Sequence, residues 1–148
     1  EGAGHFSMLE RPDEVAALDS GLFPGWVRTG RTFKAHSVSQ PGYAPICRFY
    51  LPHPADSHFY ASNPECSQVA AYYTWFILES TSVMHLALPN PISGACPAGT
   101  VPIYRVWNRR PDTNHRYMTD VALRDEMVAK GYIAEGSGPN HVMFCGPA

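Results

Sequence analysis

Pro45-Ile46-Cys47-Arg48-Phe49-Tyr50 and, 57 positions later, Pro102-Ile103-Tyr104-Arg105-Val106-Trp107 carry one pattern. Ten residues after each arginine stands a histidine, His58 and His115. In the same register Pro54 meets Pro111, Tyr60 meets Tyr117, Asn63 meets Asp120 and Trp75 meets Tyr132. Self-similarity over such a length marks a repeat architecture. A weaker third copy precedes these two: His5-Phe6 echoes His58-Phe59, residues 12–18 supply a helical stretch, and Gly25-Trp26 echoes Gly131-Tyr132. It lacks the Pro-Ile-x-Arg strand, so the chain is expected to begin in the middle of a unit. One repeat domain over residues 1–148 follows, with copy one over about 1–40, copy two over about 41–96 and copy three over about 97–148.

Local rules give each unit the same elements. Residues 47–50 and 103–107 are short aromatic and β-branched runs that suit strands, and 51–57 and 108–114 are turn-rich. Hairpins are expected to return through His58-Phe59-Tyr60 and His115-Arg116-Tyr117. Asn63 before Pro64 reads as a helix cap, and Thr119-Asp120 opens a helix with Leu123 and Met127 on one face and Gly131 as its stop. Aromatic segments at 75–78 and 132–134 close the units, and 142–145 adds a last strand. Trp26, Trp75 and Tyr132 recur at one repeat position and are assigned to the core. Three such units predict a mainly β fold with short helices, closed with pseudo-threefold symmetry in the manner of a β-trefoil. The alternative is an open array of small strand and helix units.

With Arg48-Phe49-Tyr50 before His58-Phe59-Tyr60, and Tyr104-Arg105 before His115-Arg116-Tyr117, the units resemble an uncharacterised family of bacterial and fungal extracellular repeats. There a Tyr-Arg-Phe-Tyr-Asn strand precedes a His-Phe-Tyr-Thr strand, a short helix and an aromatic strand ending in Glu-Gly. Glu135-Gly136 keeps that ending, Leu78-Glu79 keeps part of it, and Thr29-Gly30 keeps only the glycine. The resemblance implies secretion and a place beside other domains of a parent protein.

Charged residues make 16% of the chain and the net charge is −2, so no basic field exists to collect phosphates, and nucleic acid is excluded as a partner. The longest apolar stretch, 70–78, falls far short of the roughly 20 residues a membrane helix needs. The opening Glu1-Gly2-Ala3-Gly4 carries no leader, so a secretion signal is expected to have been removed or to lie upstream. Cys47, Cys66, Cys96 and Cys145 lack the short spacings of zinc or redox sites, and two disulfides are the simplest reading. Their places in the repeat favour Cys66 with Cys96 and Cys47 with Cys145; buried free thiols are the alternative.

Catalytic motifs of recognisable spacing are absent, so no catalytic residue and no cofactor is assigned. Arg48, His58 and Glu79, with Arg105, His115 and Glu135, are read as a polar network that fixes hairpin geometry in each unit. A metal held by His5, His58 and His115 is weighed and set aside for want of orienting carboxylates. Tyrosine and tryptophan join an apolar face to a polar edge, which suits stacking on sugar rings. Trp107, Asn108, Asn114 and Tyr117 are therefore nominated as one ligand site and Tyr50, Asp56 and Tyr60 as its counterpart. The expected function is a secreted, non-catalytic module that binds a glycan or cell-surface polymer without entering the membrane. A protein-interaction or structural accessory domain comes second and a hydrolase third.

Overall fold

The computed structural model describes residues 32–148. The elements run β1 (Ala44–Leu51), β2 (Ser57–Ala61), α1 (Glu65–Tyr72), β3 (Ile77–Leu86), β4 (Thr100–Trp107), β5 (His115–Met118), α2 (Val121–Ala129), β6 (Ile133–Glu135) and β7 (Val142–Pro147). Copies two and three thus share an order of strand, strand, helix, strand. Copy one falls almost wholly outside the described residues, and Trp26 with it.

Each unit is a small antiparallel sheet built around its first strand. β1 lies between β2 and β3, and β4 lies between β5 on one edge and β6 followed by β7 on the other. The single β3 therefore corresponds to β6 and β7 together. Gly136 explains the interruption: at φ +131° it turns the chain, and a Cβ there would lie 2.6 Å from the Val142 backbone. Where the chain at Glu135-Gly136 breaks away, copy two continues through Glu79-Ser80 as strand.

Alternation along β1 and β4 places three apolar clusters. Cys47, Phe49 and Leu51 face α1 and meet Phe59 and Val69, while Tyr104 and Val106 face α2 and meet Met118 and Met127. The opposite faces give Ile46 and Ile103 to a third cluster between the sheets, with Tyr60, Met84, Leu86 and Phe144. The sheets also touch through backbone: Ala87 N donates to Cys145 O at 3.0 Å and Cys145 N to Ala87 O at 2.8 Å.

Four expectations are corrected. The described residues form no closed barrel, because each unit spends its chain on three strand positions and a helix instead of two hairpins. The disulfides are Cys47–Cys66 and Cys96–Cys145, not Cys66–Cys96 and Cys47–Cys145. Alternation points Cys47 toward α1, where Cys66 in the first helical turn meets it, so that bridge lies inside its own unit. Asn63 does not cap α1: Pro64 holds the cap position without a side-chain bond, and the Asn63 carboxamide oxygen accepts from Ser67 Oγ at 2.9 Å. Trp75 is 45% exposed and outside the core; Phe76 beside it turns inward to pack on Phe49 and Phe59. Asp120 does cap α2, accepting from Ala122 N and Leu123 N at 2.9 and 3.2 Å.

Candidate functional site

The strand faces turned away from the helices carry the same side chains twice. On β1 that face holds Ile46, Arg48 and Tyr50, and on β4 it holds Ile103, Arg105 and Trp107, since side chains two apart share a face. Cross-strand pairing extends each aromatic into a row. Tyr50 lies opposite His58 on β2 and Ile77 on β3, while Trp107 lies opposite His115 on β5 and Ile133 on β6. Tyr50 and His58 rings sit 5.6 Å apart, and Trp107 and His115 are stacked at 6.2 Å. Tyr50 and Trp107 are half-buried, whereas Ile77 is 52% exposed.

Next to each row lies an arginine, histidine and glutamate. Arg48 Nε is 2.8 Å from Glu79 Oε2, which His58 Nε2 meets at 3.2 Å. Arg105 Nε is 2.9 Å from Glu135 Oε2, with His115 Nε2 at 3.5 Å. The glutamates stand one position out of the 57-residue register in sequence, and the sheets bring them close to equivalence: Glu135 pairs Arg105 directly, whereas Arg48 pairs Ser80 across a bulge with Glu79 next to it. Ile77 and Leu78 pair Tyr50 and Phe49 just as Ile133 and Ala134 pair Trp107 and Val106. One residue fewer between α2 and β6 absorbs the difference.

The two trios differ in what covers them. Arg105 also closes both terminal nitrogens on Glu65 of α1, Nη1 to Oε2 at 3.0 Å and Nη2 to Oε1 at 2.6 Å, and Nη1 donates to Tyr60 O at 3.1 Å. Phe59 lies 4.7 Å from its guanidinium and packs edge-on against His115 at 4.8 Å. The Tyr117 hydroxyl accepts from Tyr60 N at 2.8 Å and bonds Tyr60 O at 3.0 Å. This is the joint between units, and it buries Arg105 to 2% exposure. Burial by itself would lower the pKa of this guanidinium, but Tyr117 and the two carboxylates hold it above the ordinary value. Burial, helped by the Arg105 charge, drops His115 to about 3, so at neutral pH its approach to Glu135 is not an ion pair. Burial also raises Glu135, against the pull of Arg105.

Of the nominated ligand residues, Tyr50 and Trp107 remain on the surface rows, and Asp56 and Asn114 lie on the adjoining turns. Asp56 Oδ1 accepts from the Tyr50 hydroxyl at 3.1 Å, and the Trp107 indole N–H donates to Thr113 Oγ1 at 2.8 Å. Three nominations are corrected. Asn108 is buried because its carboxamide oxygen accepts from Arg110 N and Asn114 N and so folds the turn. Tyr60 is buried between the sheets, and Tyr117 gives its hydroxyl to the joint. Among the described residues no group of His, Cys, Asp or Glu is arranged to hold a metal, and His5 lies outside them.

The sequence reading missed Glu65 and Phe59 in the joint, and Ile77 and Ile133 in the rows. It also missed an exposed strip at the end of α1, where Tyr72 is 81% exposed beside Tyr73, Trp75 and Leu78. Its signal was present as a run of large apolar residues at a helix end.

The family model described as Domain of unknown function (DUF5648) matches residues 13–142, and the chain belongs to that family. No curated protein and no solved structure matches the chain.

Proposed function

We propose that this member of the family is a secreted, non-catalytic module that binds carbohydrate or a cell-surface polymer through the rows His58–Tyr50–Ile77 and His115–Trp107–Ile133. The observation that carries this reading is the duplication of the rows. Each unit sets a half-buried aromatic ring between an imidazole and an isoleucine, beside a turn that offers Asp56 or Asn114. A ring face flanked by polar edges suits a pyranose, whose axial hydrogens stack and whose hydroxyls hydrogen-bond. Two disulfides point to a compartment outside the reducing cytosol, which accords with secretion. Other domains of a parent protein would then be held near the polymer. Single shallow sites bind weakly, and two on one chain gain by multivalency.

A glycan array probed with the unmodified chain tests the reading: the expected result is retention by polysaccharides of more than one repeating unit, and retention by none contradicts it.

The exposed side chains Tyr72, Tyr73, Trp75 and Leu78, close together in sequence, favour a second reading, docking to another protein, because exposed large apolar groups that gather in one region mark interaction sites.

A further inference from the structure

We propose that Arg48 is a receptor for the carboxylate of an acidic sugar, a uronate stacked on the Tyr50 row; the inference rests on the carbohydrate-binding reading. The molecule already holds one example of the chemistry. Arg105 gives Nε to Glu135 in its own sheet and closes its two terminal nitrogens on the Glu65 carboxylate, a two-pronged geometry that suits the planar guanidinium. Arg48 is held by its own unit at the same edge, its Nε 2.8 Å from Glu79 Oε2 as an ion pair without the aligned hydrogen bond that Arg105 Nε makes to Glu135. Among the described residues no second carboxylate meets Arg48 as Glu65 meets Arg105. The Arg48 side chain keeps 17% exposure against 2% for Arg105.

Position turns this half-built joint into a ligand site. Arg48 lies two residues from Tyr50 on one face of β1, about 7 Å along the strand, which is close to the width of a pyranose with one substituent. A sugar stacked on Tyr50 thus brings a ring carboxylate to the guanidinium, while a neutral sugar leaves that fork to water. The charged and titratable neighbours are Glu79 on β3, His58 on β2 and Asp56 on the turn. Glu79 does not forbid a second carboxylate, because Arg105 serves two at once.

Affinity electrophoresis of the full chain, through gels loaded with polygalacturonate or its fully methyl-esterified form, tests this. The expected result is roughly tenfold tighter retention on the free acid, weakening with added salt. Arg48→Gln should equalise the two polymers. Arg48→Lys keeps the charge beside Glu79 and should fold, yet lose most of the preference because it lacks the fork. Equal retention of both polymers by the unmodified chain, or a preference that survives Arg48→Gln, overturns the inference and leaves carbohydrate binding standing. Retention on neither polymer also overturns the inference, and the glycan array then decides the carbohydrate-binding reading separately.

Discussion

Arg105 is surrounded by groups that only a charged guanidinium satisfies: the Glu65 and Glu135 carboxylates, the Tyr60 carbonyl and the Phe59 ring. Removing one partner of a buried pair strands the other, so Arg105→Gln is expected to cost about 3–5 kcal/mol, read as a fall in the urea midpoint. Arg48→Gln, at a pair only 17% and 31% exposed, is expected to cost less, about 1–2 kcal/mol. Equal costs would contradict the asymmetry of the two trios. His115 gives a pH test at the same joint. Its pKa falls from 6.5 to about 3 on folding, so between those values the unfolded chain binds the extra proton and stability declines as pH falls. Glu135, raised by burial, acts in the opposite direction. His115→Gln should therefore flatten the loss of stability between pH 6.5 and 4.5; an unchanged slope would show that other groups set it. The arginine, histidine and glutamate of each unit were legible because they recur. Which trio is buried was not, since that depends on Glu65 and Phe59 of the neighbouring unit, and nothing local marks them.

At the scale of elements, α1 has no side-chain cap and buries only Val69, so the Cys47–Cys66 bridge is what ties it to β1. Replacing both cysteines by serine is expected to cost about 3 kcal/mol in the chain-entropy model and to weaken α1 more than α2, which hydrogen exchange resolves. Peptide mapping without reduction should recover Cys47 with Cys66 and Cys96 with Cys145, and any other pairing would contradict this register. The helices and hairpins were legible from turn residues, from the Asp120 cap and from aromatic strands. The disulfide pairing was not, because position within a repeat does not say which face a cysteine occupies; strand alternation decides that. Gly136 was visible as part of a Glu-Gly ending without its reason. Its φ of +131° and the Val142 backbone at 2.6 Å supply one. Gly136→Ala is expected to cost about 1–3 kcal/mol by thermal melting, and a neutral result would mean the loop shifts freely.

The described residues form two like units that share an apolar cluster and a backbone bridge, and the first copy lies almost wholly outside them. Mainly β character with short helices was readable from the sequence. The closed threefold form was not, because counting strands treats helix and strand connections as interchangeable, whereas each helix here covers one sheet face and leaves the other to the joint and the rows. The ligand nominations divide the same way. Alternation put Tyr50 and Trp107 on a surface face, while Asn108, Tyr60 and Tyr117 were aromatic or polar for the sake of the scaffold. The measurement that bears most directly on the account is retention on a polysaccharide matrix of two double variants, Tyr50→Ala with Trp107→Ala and Tyr72→Ala with Trp75→Ala. Each of the first two changes removes one hydrogen bond and a half-buried ring, about 1–3 kcal/mol, and a melting curve of each variant checks that the fold persists. The account predicts that the Tyr50 and Trp107 pair abolishes retention while the Tyr72 and Trp75 pair leaves it intact; the reverse result would contradict it and assign the surface strip to the ligand.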